Sequence, residues 1–536
     1  FANPWEPNRM RPVSFSSITL RLEVVLLVAI ILIALFVRIP GLGDSLWSDE
    51  VWYTRTMFEQ ADLLRLVLWM DVHPPAYALT LMAWTGLFGD SEVTVRLPSF
   101  LFGLGSLLML WYMARHWLGP HLALLSAALI ALSPVHIWYS YENKTNMMLL
   151  LLTIMSVWLY WRASERGLKR NWIIATAVMI AALYTHAYAV PIAAAIFLWL
   201  GWRTLYDHAL AKPLVICVVV IVFAVAPWVV HLLGHREELM RSYLRELSLA
   251  ELYKLLLVWL PSGNALRAVN PYRPFSHLVA QPWPYFLIEA FVAVLLVRGL
   301  GFFAYRARGD GWFKPAINSG QKDSARLVLL WFCVPLIFTV VGSSVSDSFY
   351  LERNLLVILP PFLLILAAGA YINRRYWVRV ALTMGLVTLF FMATLSLPYS
   401  NTEEWTVYKY KVDWRTAAYY FHDEIAHIGP LAVLLSTPTR EFPYYQRRIM
   451  LAGKSNNWEE QSLVEKVCKA NPEAILENIS KKGLSSVYLV ENKTWLGCWK
   501  RVWKSYSTNN QLQFVEQKDF KGLTIYKFNV QAPTNR

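Results

Sequence analysis

Charge is what this 536-residue chain has least of: 16% of its residues are charged against 56% hydrophobic. That balance excludes a string of roughly three or four soluble domains, which would carry about a quarter charged residues. There is no Gly-rich phosphate loop of the nucleotide-binding kind, no low-complexity tract and no internal repeat, and with the repeat goes the main sequence sign of an inverted-repeat transporter. Cysteine is scarce, at four residues. Cys217 and Cys333 fall inside apolar runs and read as packing residues. Cys468 and Cys498 fall in a polar C-terminal stretch, where an oxidising compartment would let them pair; pairing and separate burial both stay open. Acidic residues are outnumbered, 36 against 50 Lys and Arg, for a net charge of +14. In a soluble chain that excess suggests a nucleic-acid binder, whereas in a multispanning one it belongs to loops that fix orientation.

What the chain has in abundance is long apolar runs and aromatic residues, with 25 Trp and 27 Tyr of the kind that collects at membrane–water interfaces. A run over 20–39, long enough at 1.5 Å per residue to cross a core of about 30 Å, follows Arg9, Arg11 and Arg21, and without a small-residue cleavage site after it the run reads as a retained anchor. Further spans are expected over 96–114, 120–138, 146–161, 172–184, 188–202, 213–231, 284–301, 327–341, 355–373 and 377–397. Basic clusters at Arg162, Arg166, Lys169 and Arg170, at Arg298 to Arg326, and at Arg374, Arg375 and Arg379 are placed inside by the positive-inside rule. The apolar stretch 75–88 then lies between two outside segments and is too short to cross. The expected architecture is an α-helical polytopic membrane domain, 1–398, with about eleven spans and a long first outer loop, 40–95. A tight outside turn at His186 is preferred to one long helix over 172–202.

After residue 398 the composition becomes mixed, and 399–536 reads as an extracytoplasmic α/β domain. Helices are expected over 413–428 and 458–468, and strands over 431–435, 486–490, 512–515 and 523–528.

With that topology the acids and bases mix only at the outer face. Asp49 and Glu50 open a helix-like stretch after Trp47-Ser48; they either satisfy its first turn or offer a general base reachable from outside. His73 precedes two prolines that hold it out of a helix, as a phosphate-receiving cation or an interfacial cap. Glu142 and Lys144 lie in an outer loop, Glu142 being either a ligand or a solvated carboxylate. Arg353 is a phosphate candidate or an ordinary interfacial arginine, Arg96 a ligand or a snorkelling side chain, and His186 a groove residue or a turn residue. His231 and His235, four apart, have the spacing for a metal but no third ligand nearby. Asn143-Lys-Thr145, Asn478-Ile-Ser480 and Asn492-Lys-Thr494 are glycosylation sequons.

Taken in order, Trp47-Ser48-Asp49-Glu50, His73-Pro74-Pro75, Ser91-Glu92 with Arg96-Leu97-Pro98-Ser99, Ser133-Pro134 with Trp138 to Glu142, Tyr184-Thr185-His186, and Arg353-Asn354-Leu355-Leu356 resemble the protein O-mannosyltransferase and aminoarabinose-transferase (ArnT-like) superfamily of GT-C fold glycosyltransferases. Lys411-Val-Asp413-Trp414-Arg415 resembles a junction found in bacterial members. The resemblance implies an inverting transferase that moves a sugar from a polyprenyl-phosphate donor to an acceptor hydroxyl on the outer face of a cell's inner membrane. It implies Asp49 as catalytic base and substrate-binding positions at Glu50, His73, Arg96, Glu142, Lys144, His186 and Arg353. Lys144 stands where many relatives carry Arg, losing a bidentate fork. No cofactor is required on this reading, and a divalent metal is compatible with it. The partners implied are the lipid-linked donor, a lipid, glycan or protein acceptor, and membrane lipids, with no nucleic acid; the lack of an Asp-x-Asp argues against a nucleotide-sugar donor. A lipid-linked sugar transporter and a non-catalytic envelope-glycan assembly factor are the rival readings.

Overall fold

The computed structural model describes residues 20–59, 74–234, 248–263, 283–308, 320–345, 350–397, 412–428, 431–435, 440–451, 462–466, 471–492, 499–508 and 512–531. His73, His235, Cys468 and Cys498 lie outside them. The chain divides into two compact units. One comprises Phe1–Leu42 and Gln60–Ser400, the other Gly43–Glu59 and Asn401–Arg536.

The first unit is helical. Among the described residues nine helices are long and apolar enough to cross a membrane, or ten if Pro120–Ala131 and Pro134–Ser140, bent by 61°, count as one span. The sequence leads to about eleven. The difference lies at 172–184, where the structure has a helix Lys169–Leu183 of 15 residues, about 22 Å long, shorter than the usual span but able to cross where the bilayer thins. Ala76–Phe88 is an apolar helix of 13 residues. Most spans carry apolar side chains outward, whereas Glu352–Tyr371 is 89% buried and forms the centre. Trp283–Arg308 packs against it. Only glycine permits that approach: a Cβ on Gly369 would stand 2.0 Å from the Leu295 carbonyl oxygen.

The bend at 132–134 has a physical cause. Pro134 brings no N–H to Ile130 O, and where the helix ends its last carbonyls lack intrahelical donors, a cost of several kcal/mol each in lipid if left open. Arg38 donates to Ile130 O at 3.2 Å and Ala131 O at 2.9 Å, and Thr394 Oγ1 donates to Leu132 O at 2.6 Å. Arg38 also donates to His136 Nδ1 at 2.8 Å, which leaves the His136 proton on Nε2, directed at Ser106 Oγ 2.8 Å away. Thus Arg38, which falls near the end of the 20–39 run in the sequence, is the buried last residue of helix Leu20–Arg38.

The expectation that acids and bases mix at one face alone does not hold. Glu23 at the start of the first helix pairs with Arg115 at 2.7 Å, and Arg203 joins Glu165 at 2.9 Å and Asp323 at 3.6 Å, with Arg326 on Asp323 at 2.9 Å. These acids stand among the basic clusters because an arginine at a helix end is held by a carboxylate on the neighbouring helix, a pairing that counting loop charges does not reveal.

The second unit has an α/β sheet of five strands: β1 Leu431–Leu435, β2 Ser462–Lys466, β3 Ser486–Asn492, β4 Leu512–Phe520 and β5 Leu523–Val530, in the order β2-β1-β3-β5-β4. β1 pairs in parallel with β2 and β3, and β5 runs antiparallel to β3 and β4. β1 is buried along its whole length, as its continuous apolar run requires. The helix expected over 458–468 is corrected: 462–466 is an edge strand, in register with β1 from Leu431↔Ser462 to Leu435↔Lys466. Tertiary pairing has overridden local pattern there. Helix Pro472–Lys481 covers the sheet through Ile475, Leu476 and Ile479.

Candidate functional site

Ser48–Glu59 is the helix that carries the acidic pair. Trp47 stands at its N-cap position: the Trp47 carbonyl accepts from Val51 N–H at 2.9 Å, and Glu50 Oε2 accepts from Trp47 N–H at 3.2 Å. This is the returning half of a capping box, in which the third helical residue satisfies the cap's own N–H. Glu50 is fully buried and Asp49 half-buried. Consecutive carboxylates therefore occupy different environments, Glu50 in a capping position and Asp49 closer to the surface.

The loop leading into that helix is bound to the C-terminal part of its own unit. Ser45 Oγ donates to Asp413 Oδ1 at 2.9 Å, and Arg415 N–H points at Ser45 Oγ at 3.4 Å. Leu46 N–H donates to Tyr445 Oη at 2.7 Å. Asp413 simultaneously caps helix Trp414–Ile428, accepting from Thr416 N–H at 3.1 Å. Burial opposes ionisation of Asp413, but the hydrogen bonds from Thr416 and Ser45 and the charge of Arg415 outweigh it and hold the carboxyl below the usual range.

In the helical unit, the remaining candidates sit at helix beginnings. Arg96, in the first turns of Glu92–Leu118, is fully buried and donates from Nη1 to Leu42 O at 2.8 Å. Glu142 and Lys144 lie in the turn that precedes Asn146–Arg166; every residue from Tyr141 to Asn146 is buried, so the solvated-carboxylate reading of Glu142 fails. That turn is held by hydroxyls: Tyr77 Oη donates to Asn143 Oδ1 at 2.8 Å, and Ser99 Oγ donates to Lys144 O at 3.2 Å and lies 2.9 Å from Tyr77 Oη. Asn143 is thereby committed to the interior, which removes the Asn143 sequon as a modification site.

His186 marks a break, between Lys169–Leu183 and the 3-10 turn Ala187–Ala189. Its Nδ1 accepts from Tyr188 N–H at 3.2 Å, which leaves the ring proton on Nε2. The break is stitched to the short helix before it in sequence by Ala76 N–H to Tyr184 O at 2.9 Å. Tyr188 is buried beside Thr339 and Asn354, and the 3-10 stretch Glu352–Ile358, which holds half-buried Arg353, packs on both Ala187–Ala189 and Asn146–Arg166. Segments 74–77, 141–145, 184–188 and 352–354 are thus joined within one unit. His231 stacks against Trp228 at 5.4 Å. No group of three or more His, Cys, Asp or Glu side chains fit to hold a metal occurs among the described residues.

The sequence profile of the dolichyl-phosphate-mannose-protein mannosyltransferase family matches residues 72–231. The match takes in His73, Arg96, Glu142, Lys144 and His186; Asp49, Glu50 and Arg353 fall outside it. The crystal structure of ArnT from Cupriavidus metallidurans bound to undecaprenyl phosphate aligns over 95% of this chain and 98% of that one, at 16% identity and a TM-score of 0.50. The fold is GT-C. The chain is a multi-pass membrane protein of that fold, similar to protein O-mannosyltransferases and to ArnT. The oligosaccharyltransferase of Archaeoglobus fulgidus tethered to an acceptor peptide aligns over 89% of this GT-C chain and 70% of its own, at 12% identity and a TM-score of 0.48. Among curated protein sequences none matches.

The structure brings forward residues that sequence reading passes over. Tyr77 and Asn143 lie inside quoted motifs but show their pairing only in three dimensions. Asp413 lies in the junction motif, and Tyr445 stands in a helix, Glu441–Leu451, that the sequence reading leaves unassigned.

Proposed function

We propose that this GT-C chain is an inverting glycosyltransferase that moves a sugar from a polyprenyl-phosphate-linked donor to an acceptor hydroxyl at the outer face of a cell's inner membrane. The observation that carries the reading is the near full-length alignment with an ArnT bound to undecaprenyl phosphate, together with the mannosyltransferase profile over 72–231.

Asp49 is the general base. It deprotonates the acceptor oxygen as that oxygen attacks the anomeric carbon, and the C–O bond to the donor phosphate breaks in the same displacement. Its half-buried place in the first turn of a helix supports this: a carboxylate there is reachable and lies at the favourable, positive end of the helix dipole. Glu50, engaged at the Trp47 N–H, positions that turn. His73, Lys144 and Arg353 receive the departing phosphate, where preorganised donors act on developing charge. Glu142 and His186, a carboxylate and an Nε2–H donor, take sugar hydroxyls. Arg96 braces the end of the first span through Leu42 O and supplies its other donors to the phosphate. The basic clusters support an orientation in which the segments carrying these residues face the outer side.

The test is transfer from polyprenyl-phosphate mannose or aminoarabinose to a hydroxyl acceptor by purified protein in lipid vesicles. Transfer lost in Asp49→Asn is the expected outcome. Donor translocation without transfer, persisting in Asp49→Asn, would overturn the reading.

A further inference from the structure

The C-terminal α/β domain has so far been a module without a task. On the reading that Asp49 is the base, we infer that this domain positions it: Ser45, Asp413 and Tyr445 form a clamp that sets where the acidic helix begins.

Two side chains grip consecutive residues just ahead of the helix, Asp413 at Ser45 and Tyr445 at the Leu46 amide, at 2.9 and 2.7 Å. Asp49 follows Leu46 by three residues, and the intervening Trp47 is fixed by Glu50. Each gripping group is itself rigidly held. Asp413 takes the Thr416 amide on its carboxylate and gives its own N–H to Lys521 O at 2.9 Å, at the turn between β4 and β5. Tyr445 is buried on helix Glu441–Leu451, which packs on Trp414–Ile428 through Trp414 and Phe442 with ring centroids 5.9 Å apart, and through Phe421 and Phe442 at 5.5 Å. Ser48–Glu59 packs on that same helix. The clamp thus runs from sheet to helix to loop through hydrogen bonds and packed rings, the kind of support that holds a reacting group in place. It also explains the residue types. Ser45 is a small donor that reaches a carboxylate while accepting from the Arg415 amide, and Tyr445 offers a hydroxyl at the end of a stiff ring to a backbone N–H.

Asp413, Ser45 and Tyr445 are positioning residues and touch no substrate. A clamp differs from simple structural support in what it moves. Loosening it should favour the open, exchange-competent state of residues 46–54 and lower kcat, while leaving the rest of the domain and the donor KM alone.

The experiment compares full-length wild type, Tyr445→Phe, Asp413→Asn, Asp413→Glu and Asp49→Asn in lipid nanodiscs. Amide hydrogen exchange and transfer from polyprenyl-phosphate mannose to a hydroxyl acceptor are both measured. Exchange at 46–54 should rise about 2- to 10-fold in Tyr445→Phe and Asp413→Asn, the equivalent of one net hydrogen bond, with protection in β1 and β3 unchanged. kcat should fall about 10- to 100-fold, as for a misplaced catalytic group, with KM within about twofold, and Asp413→Glu should restore part of it. Unchanged exchange at 46–54 in both variants overturns the clamp whatever the activity. Accelerated exchange with unchanged kcat, where Asp49→Asn is dead, also overturns it. Full transfer by Asp49→Asn overturns the base instead, and the exchange data then decide the clamp by themselves.

Discussion

Asp49 and Glu142 both stand where the chain enters a helix, yet they are held by partners at very different distances along the sequence. The entry to the Asp49 helix takes its bonds from residues 368 and 399 positions away. The turn that carries Glu142 takes its bonds from residues 66 and 45 positions away. The first segment is complete only once the C-terminal domain has folded. The second forms inside the helical unit, among residues that the mannosyltransferase profile spans. On the proposed reading, the carboxylate that acts as base thus has a separate scaffold, whereas the one that takes sugar hydroxyls sits in a turn locked by hydroxyls from its own helices.

The comparison is broken most strongly at the carboxylates themselves. Asp49→Asn keeps the size and the helix start but removes the proposed base, and on that proposal kcat should fall about 10²- to 10⁴-fold. Glu142→Gln would remove the proposed charge-assisted bond to a sugar hydroxyl, worth about 1.5–3 kcal/mol, and should raise the donor KM by roughly 10- to 100-fold with a smaller change in kcat. Steady-state kinetics on both variants separates them. If both act mainly on kcat, the division into an aimed base and a fixed wall is wrong.

Supports come next. Tyr77→Phe deletes the hydroxyl shared by Asn143 and Ser99 in a fully buried place and leaves the Asn143 carbonyl short of a donor, at a local cost of about 1–3 kcal/mol. Exchange should accelerate in 141–146 and not in 46–54, the mirror image of Tyr445→Phe. Loosening of both segments by either variant would mean that they are one cooperative element.

The same contrast decides how far the sequence could be read. Apolar run length located the helical unit because lipid permits only self-satisfied helices, and the alternating and continuous apolar patterns of 431–435 and 523–528 located β1 and β5. Asp49 stood out through its acidic neighbour and the helix-like stretch behind it. Local pattern fails where a bond partner decides. Ser462–Lys466 becomes a strand only by pairing with β1, and Arg38 becomes a buried cap only because Pro134 leaves carbonyls open nearly a hundred residues later. Glu142 reads from sequence as either a ligand or a solvated carboxylate, since a polar loop is ordinarily exposed; the structure buries the whole turn, where Tyr77 bonds its neighbour Asn143. The Ser45–Asp413 and Leu46–Tyr445 bonds join residues that no window along the chain contains together.

The smallest effect is also the most selective, because it needs no mutation. Asp413 carries a carboxyl whose pKa lies below its ordinary value: burial acts against the charge, and the Thr416 and Ser45 hydrogen bonds with the Arg415 charge prevail. A carboxyl depressed on folding contributes stability that is fully present above its unfolded value, about 3.9, and that is lost as the pH falls through the folded value. The clamp on 43–46 should therefore weaken below about pH 4. The Tyr77–Asn143–Ser99 bonds involve a phenol, an amide and an alcohol, none of which gains a proton there. Hydrogen exchange followed from pH 6 to pH 3 and corrected for the intrinsic rate should show 46–54 losing protection while 141–146 keeps it. Glu424, also depressed in spite of burial by its bonds from Lys527 and Tyr488, loosens the same unit at low pH, so the decisive control is Asp413→Asn. In that variant the 46–54 segment should begin loose and lose little more on acidification. An acid response of equal size in Asp413→Asn would assign the effect to Glu424 and its neighbours, and the aimed segment would then owe its order to the domain as a whole instead of to one carboxylate.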